Sequence, residues 1–293
     1  MGAPLLLVDA PFLLYRSFFA LPESIRGIDG HPVNAMLGST NALLRIAVDT
    51  APRAIVVCFG AEQAAYRVEL YAGYHAQRPL MPETLVWQFE QAPALFDALG
   101  WRVETSRELE ADDLLGAHAL LEDEAGAETR ILTGDRDMYQ CVTQRTYVLY
   151  LKQGSSGVET IDSAEVERRY GIPPALVPDF IALRGDPSDG LPGAPGIGEK
   201  TAAALLRRHG SLERLLAAVL EGDAGERPRI AAALRDHADS LRAYRQIAEL
   251  RPVEVSRPPD AATNLPGGAR AASALGMGAL AGRLETATSL ADL

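Results

Sequence analysis

The chain has 293 residues, 47% of them hydrophobic, which is enough for one large domain or a core with a smaller appendage and excludes a disordered or fibrous protein. Its net charge of −11 argues, taken alone, against a partner as acidic as nucleic acid. Nothing near the start resembles a signal peptide and no apolar run reaches membrane-spanning length, so a cytoplasmic protein that avoids membranes is expected. Cys58 and Cys141 both sit in apolar segments and read as buried free thiols.

In chain order, Leu5–Val8 is a short apolar run ending at Asp9 and predicts a buried parallel strand. Helical patterns follow at Phe12–Phe19 and Ala35–Val48, and Ala54–Phe59 predicts a second buried strand. Residues 61–82 lack periodicity and read as an arched or mobile segment outside the core. Glu83–Leu99 predicts a helix, Trp101–Glu104 a strand, Glu110–Glu124 a helix, and Thr129–Thr133 and Tyr147–Leu151 two more strands. From Asp162 to about Leu250 the pattern is helical; a Pro/Gly-rich stretch, 252–268, then precedes a terminal helix near Leu275–Leu284. Alternating strands and helices predict an α/β fold with a mostly parallel sheet, in which ligands bind beyond the carboxyl ends of the strands.

Acidic residues gather at those ends. Asp9 follows the first strand, and three clusters follow later: Glu110-Ala-Asp112-Asp113, Gly-Asp135-Arg-Asp137 and Gly-Asp186-Pro-Ser-Asp189. Carboxylates this dense repel one another, so a fold that gathers them needs a cation, and a hard divalent ion such as Mg²⁺ or Mn²⁺ takes oxygen ligands. Eight candidate ligands suit two ions, which roughly 3.5–4 Å apart can clamp both oxygens of an in-line phosphoryl displacement. The clusters hold no His or Cys, which argues against a zinc site. Any one of these acids could instead be a helix cap, as Glu110, Asp112 and Asp113 open a helix. The ordered set is the informative feature.

Behind the last cluster, 191–208 fits a helix–hairpin–helix. Gly196 and Gly198 permit a tight turn whose amides approach a phosphate, and Lys200 and Thr201 open the next helix. Such a grip holds backbone and reads no bases. Local arginines, Arg67 and Arg78 among them, offset the net charge, so a polarised surface is expected. Lysine is nearly absent, at Lys152 and Lys200 only.

These residues, in this order, closely resemble the 5′-nuclease domain of bacterial DNA polymerase I and its free-standing relatives, the flap endonuclease family. The likeness covers about residues 4–250 and suggests a free-standing member. It implies a PIN-like nuclease core over 1–161, with an arch or clamp near 61–82 for the 5′ strand, and a helical DNA-binding region over 162–293 built on a helix–three-turn–helix module. It implies two or more Mg²⁺ or Mn²⁺ ions and a K⁺ ion in the hairpin. By position, Asp9, Glu110 and Asp112 serve the first metal, and Asp113, Asp135, Asp137 and Asp186 the second, with Asp189 nearby. Tyr15 matches a tyrosine that stacks near the unpaired nucleotide. Arg78 matches a basic residue that steers the scissile phosphate, and Arg67 is expected to contact DNA. Gly60 stands where the family carries an aspartate, and His75 where it carries a lysine in the arch. The expected activity is 5′-3′ exonuclease and 5′-flap endonuclease cleavage by a monomer, acting on DNA with a flap, nick or 5′ end in replication and repair. Gly60 and His75 keep open a DNA-structure-binding protein with weak or lost catalysis, and the carboxylates alone also fit an RNA-directed nuclease of the wider PIN class.

Overall fold

The computed structural model describes residues 2–151, 157–222 and 225–293; Lys152 lies outside the described residues. In chain order the elements begin β1 (Leu5–Asp9), α1 (Ala10–Ala20), α2 (Asn34–Thr50), β2 (Ala54–Phe59), α3 (Ala65–Leu70) and α4 (Glu83–Ala98). They continue β3 (Arg102–Thr105), α5 (Ala111–Glu124), β4 (Thr129–Thr133), β5 (Thr146–Leu151), β6 (Val158–Ile161) and α6 (Ser163–Tyr170). The rest is helical: α7 (Val177–Arg184), α8 (Glu199–His209), α9 (Leu212–Glu221), α10 (Pro228–Asp236), α11 (Ala238–Ala248), α12 (Leu265–Ala274) and α13 (Gly278–Thr286).

The strands form one sheet in the order β3-β2-β1-β4-β5-β6, parallel except for the antiparallel edge strand β6. Both faces are covered, which is why β1 and β2 read as unbroken apolar runs. Along β1, Leu5 and Leu7 face a layer containing α5, α7, α8, α9 and α11, while Leu6 and Val8 face one containing α1, α2, α4, α12 and α13. Each of these four leucine and valine side chains is fully buried, a contribution of about 1.5–3 kcal/mol apiece. The order of the strands reverses at β1, between β2 and β4, so a crevice is expected beyond Asp9 and Thr133.

Three expectations change. Residues 61–82 are not an arch throughout: they contain α3, and Ala64, Tyr66, Arg67, Tyr74 and His75 are buried. A six-residue helix that buries an arginine leaves no apolar periodicity to read. The stretch near 264–268 is not loop but the start of α12, because Pro266 suits a first turn and the Asn264 side chain caps it by accepting from the Gly267 amide at 3.0 Å. Helices α12 and α13, read from sequence as part of the helical region, leave it and pack with α4 on the sheet.

Candidate nuclease active site

Asp9 ends β1 and caps α1, accepting from the Phe12 amide at 3.0 Å and from Thr133 Oγ1 at 2.6 Å. Thr133 ends β4, and its hydroxyl also accepts from the Asp135 amide at 2.9 Å. Asp135 in turn accepts from the Asp137 amide at 2.8 Å. One threonine thus ties the acid of β1 to the acids beyond β4. Sequence reasoning gave Thr133 no role, although its place at a strand end beside Asp135 was a usable signal.

Helix α5 separates its two adjacent aspartates. Glu110 and Asp112 line a cavity of about 650 Å³ together with Asp9, Asp135, Asp137 and Asp189. Asp113, one residue further round the helix and so turned by about 100°, points into the protein and is fully buried. Its oxygens accept from Arg67 Nη1 and Nη2 at 3.1 and 2.9 Å, from Tyr66 Oη at 3.2 Å, and from the backbone amides of Glu110 and Arg251 at 3.2 and 3.0 Å. Asp113 is therefore a structural anchor, and its expected role as a metal ligand is corrected. Arg67 is corrected with it: although it borders the cavity it is only 3% exposed, donates through Nε to the Ile247 carbonyl and pairs with Glu110 at 3.2 Å, so its guanidinium is taken up by bonds within the protein.

Asp186 stands behind the cavity wall. It is held by Arg184 at 3.2 Å and by the Ser188 amide at 2.8 Å, and the Ser188 hydroxyl donates to it as well. Asp189 meets His75 Nε2 at 3.1 Å, and its carbonyl accepts from the His75 amide at 3.0 Å. His75 is buried, stacked on Tyr74 at 3.9 Å, and adopts φ +51°, so it tethers 73–78 to the acidic loop rather than facing solvent. Tyr74 Oη donates to Glu110 at 2.8 Å. Tyr15 and the exposed Arg78 line the same cavity, and the charge of Arg78 acts on Asp9; the Tyr15 hydroxyl donates to Glu62 at 3.1 Å and its ring packs edge-on against Phe89. Gly196 and Gly198 lie elsewhere, in the hairpin before α8, and Lys200 and Thr201 in the first turn of that helix; buried Ile197 and Ala194 anchor the loop, and the two glycines and Lys200 are exposed.

The acids raise one another's proton affinity. Burial pushes Asp135 up to about 7, with Asp189, Asp9 and Asp186 adding repulsion and the Asp137 amide opposing it. Burial and then Asp135 hold Asp112 and Asp137 well above the usual carboxylate range. Asp9 is raised by burial and moderated by its hydrogen bonds from Thr133 and Phe12. An all-oxygen donor set under such strain fits hard divalent cations. Among the described residues no three His, Cys, Asp or Glu side chains are grouped to hold an ion by themselves. Each ion would take carboxylates singly or in pairs and complete its shell with water, the habit of Mg²⁺.

Gly60 follows β2 at the cavity wall. A β-carbon there would lie 2.1 Å from the Ala111 amide nitrogen and 2.3 Å from the Glu110 carbonyl carbon. The start of α5 occupies the space a carboxylate would need, so Gly60→Asp does not rebuild a ligand. Gly60→Ala is expected to cost about 2–3 kcal/mol, read as a lower urea midpoint; an unchanged midpoint would show that α5 can move aside.

A parallel α/β sheet whose switch-point crevice gathers carboxylates, beside a separate glycine hairpin, defines a metal-assisted phosphodiesterase type of site. Two family profiles match: "5′-3′ exonuclease, N-terminal resolvase-like domain" over residues 4–171 and "5′-3′ exonuclease, C-terminal SAM fold" over 172–263. The chain belongs to the 5′-3′ exonuclease family. A 5′-3′ exonuclease of Streptomyces coelicolor is 37% identical over 285 residues, covering 92% of this chain and 93% of that one. DNA polymerase I of Mycobacterium leprae is 38% identical over 249 residues, 84% of this chain, which spans 27% of that polymerase. Among solved structures, bacteriophage T5 5′-exonuclease with bound divalent metal (zinc) has a TM-score of 0.67 at 16% identity, covering 96% of this chain and 97% of that one. The catalytic core of Rad2 in complex with DNA substrate gives 0.58 at 15%, covering 94% and 87%. No helix of the described residues is long and apolar enough to cross a membrane.

Proposed function

We propose that this protein is a structure-specific 5′-3′ exonuclease and 5′-flap endonuclease that hydrolyses DNA phosphodiesters in replication and repair, working as a cytoplasmic monomer with Mg²⁺ or Mn²⁺. The observation that carries the reading is the set of mutually repelling carboxylates from β1, α5 and the segment after β4 facing one cavity that Arg78 also lines. Asp9, Glu110, Asp112, Asp135, Asp137 and Asp189 would hold the ions, with Asp186 behind them. When bound, divalent cations supply positive charge for the attacking and departing oxygens of phosphodiester hydrolysis.

The protein's own side chains do the rest. Arg78 draws the scissile phosphate toward the acids, and Glu62, whose carbonyl accepts from Arg78 Nη1 at 3.3 Å, limits its swing. Tyr15, Phe19 and Phe89 offer an apolar wall for an unstacked base. The hairpin holds the duplex through its backbone without reading sequence, and a K⁺ ion there belongs to the same proposal. The glycine hairpin and long helical region favour duplex DNA over RNA as the substrate.

A labelled duplex with a 5′ flap, incubated with Mg²⁺ or Mn²⁺, is expected to be cut near the junction, and an RNA flap of the same sequence less efficiently. Tight binding with no cleavage by either ion would favour the DNA-binding alternative that Gly60 and His75 raise. Neither binding nor cleavage would reject both readings.

A further inference from the structure

We infer that Arg229, at the start of α10, completes the hairpin's grip on a DNA backbone phosphate. The inference rests on the nuclease reading and adds a binding residue from another part of the chain. In the hairpin, Gly196 is exposed and adopts φ +79°, a conformation that L side chains rarely adopt. The Arg229 guanidinium lies over it: Nε and Nη2 are each 3.9 Å from the point where a β-carbon would sit. The positive φ is what calls for glycine at 196, and the turn it makes sits within van der Waals reach of the Arg229 guanidinium.

The cation is free to act. Arg229 is exposed and, among the described residues, makes no hydrogen bond or ion pair, although Glu199 stands close by in sequence to the hairpin. Several other arginines of the helical region are engaged: Arg207 donates to the Gly171 carbonyl, Arg208 pairs with Glu226, Arg242 with Glu213, and Arg245 with Asp179. In a chain with 39 acidic and 28 basic residues, an arginine left unpaired beside a phosphate-binding turn is well placed for an external anion. A guanidinium presents parallel N–H donors that match two phosphate oxygens, which an ammonium cannot do. With Lys200 on the first turn of α8, the hairpin would meet the backbone from two sides, without sequence preference.

The test is binding of a fluorescent duplex in EDTA, which removes cleavage from the readout, across a salt series. Arg229→Gln is expected to weaken affinity about five- to tenfold at 0.1 M salt and to reduce the salt slope by about one. Arg229→Lys should keep the slope and recover part of the affinity. Arg270→Gln, on α12, should bind as the unsubstituted protein does. If Arg229→Gln keeps both affinity and slope while the unsubstituted protein binds, the inference is overturned and the nuclease reading stands. If the unsubstituted protein binds no duplex at all, both fall.

Discussion

Asp135→Asn should yield a protein that is more stable than the original in EDTA at pH 8, yet cleaves no 5′ flap with Mg²⁺ or Mn²⁺. The two effects have one cause. In the folded protein the Asp135 carboxyl is pushed up to about 7, by burial first and then by Asp189, Asp9 and Asp186; in the unfolded chain it titrates near 3.9. A raised carboxyl pKa means that folding disfavours the charged form. The associated stability is fully present below about pH 4 and is lost as pH rises through the folded value near 7. Metal-free protein should therefore lose on the order of 4 kcal/mol from this group between pH 4 and pH 8. Asparagine removes that pH-dependent loss while keeping an oxygen for the Asp137 amide. With divalent ions present the sign reverses, because the same negative charge is what holds them. Melting curves at pH 5 and pH 8, with and without metal, separate the two effects. Equal melting temperatures at pH 8 in EDTA, or cleavage by the asparagine variant, would contradict the role given to Asp135.

How much of this was legible beforehand depended on what each residue's signal depends on. Strands β2 and β4 have the limits expected from the sequence; β2 is a continuous apolar run because it is buried on both faces, and β4 carries Ile131 and Leu132 between β-branched threonines. Asp9, Asp135 and Asp137 were legible as a group because acids at strand ends in one sheet must share a crevice, and Glu110, Asp112 and Asp189 because they stand in ordered acidic clusters. Asp112 and Asp113 were not separable: neighbours of the same type differ only in helical phase, and one turns to the cavity while the other turns to Arg67. Helix α3 was missed because what it buries is polar, and β6 because it is a four-residue edge strand with two polar residues. Gly60 could be read as a missing carboxylate but not as a point where α5 closes on β2, since close approach of two backbones leaves no mark on either segment alone. Arg229 belonged to no motif; only folding brings it to Gly196.

Arg67→Ala should be the most destabilising of the substitutions considered, by about 3–5 kcal/mol, with loss of cooperative unfolding at lower urea. Burial opposes the charge of Arg67, but Glu110 and Asp113 more than offset this and hold its pKa above the usual value. Its bidentate bond to Asp113, its contact with Glu110 and its bond to the Ile247 carbonyl join α3, α5 and α11. Removing the guanidinium leaves two carboxylates buried without their cation, which costs far more than the pair itself contributes. Lysine should rescue little, since one ammonium cannot reproduce the fork. A cycle with Asp113→Asn distinguishes this from a DNA contact: the double variant should lose much less than the sum of the single losses. Arg67→Ala with an unchanged urea midpoint but weaker, less salt-dependent duplex binding would instead restore Arg67 to the DNA interface. The consequence reaches the cavity as well. Glu110 takes its orientation from Arg67 on one oxygen and Tyr74 on the other, so a variant lacking the arginine should lose divalent-ion affinity even at temperatures where it remains folded.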